Sequence, residues 1–521
     1  MSKFIKGTLI LLIAGFITRI LGFVNRIVLA RFVGEEGVGL FMMASPTLFL
    51  VIAITQIGLP VAISKFVAEA TAEKDSYKVK AVLAVSLTVT LVLSLIFTPI
   101  LVLGAKFLSE HLFTDSRVYY PLLAMAPIIP ITAVSAVLRG YFQGKQDMNP
   151  FAISQVLEQV VRILLIAFLT KQFLPYGIEY ATAGAVAAAV IGELVSSLYL
   201  LTRFKFKKKF KLRKSFFHSV LNNRQTFSDL MSVAIPTTGS RMIGSIAWFL
   251  EPIVVAQSLA IAGLSVAAAT KSYGELTGYA LPLLTLPSFI TVSLGTSLIP
   301  AISEAYAHNK IRIVEYKLYQ SLRFTFLSGV ISLVIIYVLA DPLMLLMYGN
   351  SNSAHYIRSL APYFLFFFYQ GPLQAAMQAM NMATAAMVNS FIGALVKTVL
   401  ILALATRPEF GIHGVSIALG VGTVLVTVLH FISISRKIHI PFYWREYIVT
   451  GIIMCLTGYT GHLLFQRVFI NFGLISNLLL TMTVMLLLFL IFLMLTGVLN
   501  KTEVEKIPIV GKPLAWLMLT R

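Results

Sequence analysis

Apolar residues run along the chain in long stretches separated by short polar segments. A bilayer core of ~30 Å needs about 20 apolar residues as a helix, and windows of that length predict fourteen membrane-spanning helices. Their predicted positions are 7–32, 39–64, 81–104, 118–143, 151–173, 180–202, 228–256, 266–303, 318–340, 357–380, 384–406, 411–435, 446–466 and 473–499. No long polar stretch remains for a separate soluble domain. The pattern therefore predicts an all-α polytopic membrane protein.

The composition supports this prediction. Of the 521 residues, 58% are hydrophobic and 12% are charged, whereas an ordinary soluble domain carries roughly 25% charged residues. These values exclude a soluble globular enzyme, a disordered chain and a fibrous protein. The single cysteine, Cys455, excludes an intramolecular disulfide and a cysteine-based metal cluster. The first hydrophobic segment carries three arginines and no small-residue cleavage site, so we predict a retained helix.

The basic residues predict the orientation in the membrane. The chain has 41 Lys and Arg against 21 Asp and Glu, a formal net charge of +20. With fourteen spans and the N-terminus inside, the cytoplasmic segments hold 28 of the 41 basic residues and the outer segments hold six. This bias follows the positive-inside rule, so we predict a cell-membrane protein with both termini in the cytoplasm.

The densest basic run lies between the sixth and seventh predicted spans. It consists of Lys205, Lys207, Lys208, Lys209, Lys211, Arg213 and Lys214. We interpret it as a topology signal that attracts anionic membrane lipids, and a dedicated site for a lipid or a protein partner remains open. Nucleic acid is not expected as a partner, because no nucleic-acid recognition fold accompanies these charges.

The two halves of the chain resemble each other at offsets of 222–239 residues. The matching positions are residues 18–22 with 240–244, 62–64 with 301–303, Gln143 and Arg162 with Gln378 and Lys397, and Gly184 and Gly192 with Gly414 and Gly422. A six-helix unit returns to the same membrane side, so a pseudo-twofold axis along the membrane normal should relate the two lobes. Transporters built this way bind substrate between the halves.

The repeat sets the predicted domain boundaries. Helices 1–6 form an N-lobe at 1–202, and helices 7–12 form a C-lobe at 228–435. A basic cytoplasmic linker at 203–227 joins them. Two extra helices and a cytoplasmic tail follow at 436–521.

Ionisable residues inside the predicted spans are the main candidates for function. Each costs ~2.5–3.5 kcal/mol at a helix centre on insertion scales, so each is expected to pair or to line a wet cavity. The candidates are Arg19, Arg26, Arg31, Arg162, Arg241, Lys271, Lys397, Glu158, Glu193, Glu251 and Glu275. Seven of them are basic and four are acidic. The excess of basic residues favours an anionic substrate, because guanidinium groups bind phosphate oxygens bidentately.

Two pairs among these candidates are four residues apart on one helix face. Glu158 pairs with Arg162, and Lys271 pairs with Glu275. Structural pairing and a direct substrate role both remain open for them. The second pair lies in span 8, which six glycines and prolines interrupt, and such a bendable helix is typical of a gating element.

The remaining candidates have no such partner on their own helix. Arg19 and Arg26 lie seven residues apart on one face of span 1, which contains no acid, so a cavity site is favoured for both. Arg31 lies near the outer end, where it can reach the interface. The repeat equivalents of Arg19 and Arg162 are Arg241 and Lys397. Glu193 and Glu251 are expected to supply interhelical partners or a proton or cation site.

Motifs of enzymatic chemistry are absent from the sequence. It contains no P-loop, no Asp-rich diphosphate–metal motif, no His-Glu-x-x-His and no nucleophile elbow. We therefore predict a transporter rather than an enzyme, with no bound cofactor. A coupling cation, the membrane potential or the gradient of the substrate would drive transport.

Several segments resemble a known family. Residues 18–34 (TRILGFVNRIVLARFVG) and 292–300 (VSLGTSLIP) resemble helices 1 and 8 of the lipid II flippases, in the multidrug/oligosaccharidyl-lipid/polysaccharide exporter superfamily. A sporulation-associated branch of the superfamily is more similar still. That similarity spans essentially the whole chain and includes 34–40, 138–146 and 286–291.

The resemblance implies a two-lobed fold of fourteen helices with alternating access. It implies an undecaprenyl-diphosphate-linked disaccharide-peptide as cargo, carried outward for the spore cortex, and a location in the mother-cell or outer forespore membrane. The substrate arginine of the family corresponds to Arg19. The flippases continue with Arg-Asp where this chain has Asn25-Arg26, so Arg26 receives no role from the family.

Three functions follow from these observations. The first is a flippase in which Arg19, Arg26 and Arg241 hold the diphosphate, with Lys271, Glu275 and Glu251 nearby. The second is an exporter of another lipid-linked polysaccharide unit or of a small molecule. The third is a membrane scaffold that recruits cell-wall synthases through the basic segment 203–224.

Overall fold

The computed structural model describes residues 3–207, 224–441 and 443–499, and these residues form helices joined by short turns, without a strand. The helices are α1 (Lys3–Gln56), α2 (Leu59–Ala72), α3 (Ser76–Phe107), α4 (Tyr119–Met125), α5 (Ile128–Gly144), α6 (Met148–Phe173), α7 (Ile178–Lys207), α8 (Arg224–Ile261), α9 (Val266–Gly274), α10 (Leu281–Thr285), α11 (Ser288–Ala307), α12 (Ile311–Val338), α13 (Ala340–Tyr348), α14 (Ala354–Ala379), α15 (Ala383–Ala405), α16 (Gly411–Ser435), α17 (Trp444–Leu463) and α18 (Leu474–Leu495). The predicted all-α membrane architecture is confirmed. Most of the basic run, Lys208 to Lys214, and the tail after residue 499 lie outside the described residues.

Twelve segments of the described chain are long and apolar enough to cross a membrane. Two differences separate this number from the fourteen predicted spans. Residues 13–72 form one segment where the sequence predicts two spans. The second difference is α14, whose three glutamines and two prolines lower its hydropathy, so it is not among the twelve. Fourteen spans therefore stay a prediction.

The first predicted loop is a kink within α1. Gly34 has φ +75° and ψ −179°, and helical geometry resumes on both sides of it. Only glycine adopts this backbone conformation readily. The kink therefore falls between the predicted spans 7–32 and 39–64, so the sequence located the break, which is a sharp kink rather than a loop.

The predicted interruption of span 8 is confirmed. Residues 266–307 divide into α9, a π-helical segment at Glu275–Ala280, α10 and α11. Pro282 and Pro287 each lack an amide donor at the start of a new helical segment. The π segment begins at Glu275, directly after the helical turn that carries Lys271. π-helical segments are frequent at functional sites.

A buried apolar cluster joins α2, α3 and α5 to the ends of α7 and α8. Its side chains include Ile63, Val82, Tyr141 and Phe204. The close approach of α2 and α5 depends on Gly140, where a Cβ atom would lie 2.9 Å from the carbonyl oxygen of Pro60. This cluster fixes the position of α5, which carries one of the site residues described below.

The described residues group into two compact units. One lies within Met1–Gly278 together with Thr398–Val415, and the other lies within Tyr279–Lys397 together with Ser416–Arg521. The lobes at 1–202 and 228–435, the linker at 203–227 and the segment 436–521 stay predictions.

One feature of the predicted repeat appears in the packing of corresponding helices. A Cβ atom on Gly192 of α7 would lie 3.4 Å from the Cβ of Arg162 of α6. The equivalent positions in the second half are Gly422 of α16 and Lys397 of α15, where the same distance is 3.0 Å. Each glycine thus lets its helix pass close to the helix carrying the basic residue, which supports the repeat found in the sequence.

Candidate functional site

A polar cavity lies between α1 and α6, with a volume of about 420 Å³. Its lining residues are Gly15, Thr18 and Arg19 of α1 and Gln155, Glu158 and Gln159 of α6. On each helix these positions are spaced by one, three or four residues, which places them on one face. The structure thus brings together Arg19 and Glu158, both predicted as site residues.

The opposite side of the same helix pair is apolar. Another cavity of about 430 Å³ is lined there by Ile10, Ile13, Ala14 and Ile17 of α1 and by Ala152, Ile153, Val156, Leu157 and Val160 of α6. Along this stretch one side of the helix pair is lined by polar residues and the other by apolar residues, as expected when one side contacts lipid and the other contacts a hydrated group.

The face of α1 that carries Arg19 is unusually open. A Cβ atom on Gly15 or Gly22 would meet no heavy atom within 4 Å. Glycine destabilises a helix interior by roughly 0.5–1 kcal/mol relative to alanine, and packing does not require it at either position. Arg26 lies two turns beyond Arg19 on this face and is exposed, as is Arg31 further along the helix.

Two arginines and two glutamates form an ion network across α5, α6 and α7. The Nη2 atom of Arg139 lies 3.1 Å from both carboxylate oxygens of Glu193 and 3.4 Å from Oε2 of Glu158. The Nη2 atom of Arg162 lies 2.6 Å from Oε1 of Glu158. The Glu193 side chain is 4% exposed. The predicted Glu158–Arg162 pair is present, and Glu193 has the interhelical partner expected of it.

Arg139 was counted among the cytoplasmic basic residues, although it lies within the predicted span 118–143. Helix α5 continues to Gly144, so Arg139 lies inside the helix. The aromatic residues Tyr141 and Phe142, both 1% exposed, continue the buried stretch beyond it. Since two positive and two negative charges balance here, the excess positive charge of the spans belongs to the other basic residues.

A second charged cluster joins α1 to α9. The Nζ atom of Lys271 lies 3.1 Å from Oε2 of Glu35 and 3.9 Å from Oε1 of Glu275. The predicted Lys271–Glu275 pair is present, but the nearer carboxylate belongs to Glu35, which the sequence analysis did not single out. The helices approach closely here, because a Cβ on Gly274 would lie 2.2 Å from the Glu35 carbonyl oxygen.

Asp115 organises the adjacent contacts between the α3–α4 segment, α1 and α9. Its carboxylate accepts hydrogen bonds from Thr270 Oγ1 at 2.7 Å and from Arg117 Nη2 and Nε at 2.9 and 3.0 Å. Arg117 also donates to Glu36 of α1 at 2.6 Å. Burial raises the pKa of Asp115, but the hydrogen bonds from Arg117 and Thr270 outweigh it, so the pKa lies below its ordinary value.

Replacement of Asp115 by asparagine is expected to destabilise the fold by about 2 kcal/mol at neutral pH, because charge-assisted hydrogen bonds are lost. A depressed pKa means that the carboxylate stabilises the fold above its unfolded pKa of about 3.9, and that this contribution disappears as the pH falls through the lower folded value. Unfolding in detergent should be followed between pH 7 and pH 3 for the unsubstituted protein and for Asp115→Asn. The difference between their free energies of unfolding should shrink at the acid end of this range.

Asp75→Asn is the matched control for that experiment. Asp75 accepts hydrogen bonds from the backbone amides of Tyr77 and Lys78 at the start of α3, and asparagine caps helices equally well. Equal stability losses for Asp115→Asn and Asp75→Asn would contradict the role given to the Asp115 contacts.

Three other predicted site residues lie elsewhere in the described chain. Arg241 and Glu251 lie on α8, and Lys397 lies on α15. Glu251 is 9% exposed and Lys397 is half-buried. Their roles, like those of the other predicted substrate-binding residues, stay predictions.

The chemistry of the polar cavity suits a hydrated anionic group. It offers one guanidinium, two amides, one hydroxyl and one carboxylate, and its remaining lining residue is Gly15. The Glu158 carboxylate in its wall has Arg162 and Arg139 as partners, so it does not need Arg19 for neutralisation. A guanidinium in such a cavity can bind two oxygens of a phosphate at once.

Comparison with known families gives two matches. A model of the family described as polysaccharide biosynthesis protein matches residues 4–306, and a model described as MatE matches residues 253–403. The first covers more than half of the chain.

Two curated relatives come from Bacillus subtilis (strain 168). Stage V sporulation protein B is 56% identical over 513 residues, which cover 98% of this chain and 99% of the relative. Lipid II flippase MurJ is 26% identical over 455 residues, which cover 84% of this chain and 83% of the relative. These relatives confirm the resemblance recognised in the sequence.

Two solved structures share the fold. Lipid II flippase MurJ in an inward closed conformation aligns with a TM-score of 0.67 and 18% identity, covering 92% of this chain and 97% of that chain. An inward-facing multidrug resistance MATE family transporter of the MOP superfamily aligns with a TM-score of 0.63 and 17% identity, covering 80% and 93%.

The relatives are transporters and flippases, which confirms the prediction that the protein is not an enzyme. The family match, the 56% identical relative and the shared fold together assign the chain. It belongs to the polysaccharide biosynthesis protein family, is a multi-pass membrane transporter, and shares the fold of transporters of the MOP superfamily.

Proposed function

We propose that this transporter is a flippase that moves a lipid-linked peptidoglycan precursor outward by alternating access, for synthesis of the spore cortex. The cargo is an undecaprenyl-diphosphate-linked disaccharide-peptide. Two relatives support this assignment by name, one a stage V sporulation protein and the other a lipid II flippase. The protein would act in the mother-cell or outer forespore membrane with both termini in the cytoplasm.

The observation that carries the proposal is the position of Arg19 in the polar cavity between α1 and α6. The diphosphate supplies oxygens for the guanidinium, and the open face beside Gly15 leaves room for it. Arg26, on the same face of α1, would bind the diphosphate as it moves, and Arg241 would contribute from α8. Glu251 is a candidate for a proton or cation site.

The charged contacts of α9 are those expected of a transporter that is closed on the outer side of the membrane. In the proposed orientation, Glu35, Arg117 and Lys271 all lie on the outer side. Their ion pairs join α1, the α3–α4 segment and α9. Outward release would require these contacts to separate, and the π-helical segment starting at Glu275 is where α9 can bend away.

The membrane potential favours this direction of transport. Moving one elementary charge through 100 mV is worth ~2.3 kcal/mol. A diphosphate carries negative charge outward through a membrane that is negative inside, so its movement is downhill. This force is available with or without a coupling cation.

Reconstitution tests the cargo. Purified protein in vesicles should move lipid II labelled on its peptide from the inner to the outer leaflet, where a membrane-impermeant quencher reaches the label. Addition of an excess of unlabelled lipid II should slow this movement. Unlabelled lipid-linked units of other polysaccharides should not slow it.

Other results identify the rival functions. Faster movement of a different lipid-linked unit assigns the protein to that polysaccharide. No movement of any lipid, together with loss of cortex on deletion of 203–224 but not on removal of the cavity charges, assigns it to a scaffold for cell-wall synthases.

A further inference from the structure

The α6 wall of the polar cavity carries two amide side chains with no hydrogen-bond partner. Gln155 and Gln159 lie one helical turn apart beside Glu158. Among the described residues neither amide has a partner, and the carbonyl oxygen of Gln159 is buried. Buried polar atoms are normally satisfied by protein, water or ligand. Because both side chains line the cavity, their amides can turn toward a molecule that enters it.

The chemistry of this wall differs from that of Arg19. An ionised diphosphate offers only acceptor oxygens, which match a guanidinium but cannot satisfy the carbonyl oxygen of Gln159. A sugar hydroxyl or acetamido group both donates and accepts, so it matches a neutral amide. The α1 wall thus suits the diphosphate, and the α6 wall suits the uncharged part next to it.

From this arrangement we infer that Gln155 and Gln159 form a sugar-binding subsite that recognises the carbohydrate attached to the diphosphate. The inference rests on the proposed function, since it assumes that the diphosphate lies on Arg19. It assigns specificity to α6: the amides distinguish a sugar-bearing lipid from the bare lipid diphosphate. Removing a site's hydrogen bonds to a substrate hydroxyl lowers discrimination while leaving other contacts intact.

Binding of two probes to the purified full-length protein tests this subsite. The probes are undecaprenyl diphosphate and its disaccharide-bearing form. Gln159→Met keeps the length of the side chain and removes the amide that would bind the sugar. We expect it to weaken binding of the disaccharide-bearing lipid about tenfold and to leave undecaprenyl diphosphate unchanged within about twofold. Gln172→Met, at an exposed position of α6 outside the cavity, should change neither.

Other binding results would overturn the sugar subsite. An equal loss of both lipids would indicate general damage to the cavity and overturn the inference, as would unchanged binding of both. If Gln159→Met fails to fold, Gln155→Met, one helical turn away in the same cavity wall, gives the same comparison. Arg19→Ala separates the two proposals: it should lose both lipids, and normal binding by that variant would reject the diphosphate site while leaving the sugar subsite to its own test.

Discussion

Replacement of Arg19 by alanine is expected to slow outward movement of the diphosphate-linked lipid about 100-fold in reconstituted vesicles. A bidentate contact provides two charge-assisted hydrogen bonds, each worth about 1.5–3 kcal/mol, and the cavity holds no second arginine among its lining residues. The side chain is exposed, so its removal creates no cavity in the core and should spare the fold. The rate of quenching of labelled lipid and the thermal stability of the same preparation measure both effects.

Two further variants sharpen this prediction. Arg19→Lys keeps the charge and loses the planar fork, so about a tenfold loss is expected. Arg407→Ala removes an exposed arginine from the turn between α15 and α16 and should transport at the normal rate. Full transport by Arg19→Ala would remove Arg19 from the cargo site, and an equal loss in both alanine variants would point to a nonspecific effect of net charge.

The sequence predicted the architecture well because hydrophobic length is a strong constraint in a bilayer. Backbone groups must be satisfied within each span, so long apolar runs form helices. What it could not predict was the form of the break. The predicted loop between the first two spans is a kink at a single residue, Gly34, which has a positive φ.

Some contacts of the candidate site were predictable from the sequence and others were not. The Glu158–Arg162 pair was predictable because four-residue spacing on a helix is local information. Arg139 and Glu35 were missed, since their partners lie 54 and 236 residues away along the chain. No local pattern encodes such contacts. The amides of Gln155 and Gln159 were missed for a different reason: a glutamine carries no charge to mark it as costly in a membrane.

The structure also changes the meaning of the excess positive charge. The sequence suggested a cavity with a surplus spread over seven basic residues. In the structure, Arg162 and Lys271 have carboxylate partners within 2.6 and 3.1 Å. Arg19 becomes the more specific indication of an anionic cargo, because it lines the polar cavity on a face of α1 that is open at Gly15 and Gly22.

Replacement of Arg139 by methionine is expected to destabilise the protein by about 3 kcal/mol. The variant leaves the Glu193 carboxylate, 4% exposed, without its cation, and removing one partner of a buried ion pair typically costs 3–5 kcal/mol. A second substitution, Glu193→Gln, removes the uncompensated charge and should restore most of the loss. Denaturant titration in mixed micelles measures the free energy of unfolding for the single and the double variants.

The single and double variants also decide whether the ion network across α5, α6 and α7 has a structural role or a role in transport. A purely structural network predicts that Arg139→Met/Glu193→Gln regains stability and transport together, since Arg19 and the cavity wall are unchanged. Restored stability with transport still lost would instead place the network in the transport cycle, where Glu158 forms part of both the network and the cavity. Arg407→Met controls for loss of an exposed arginine. If Arg139→Met were as stable as this control, the network would not hold α5 to α7.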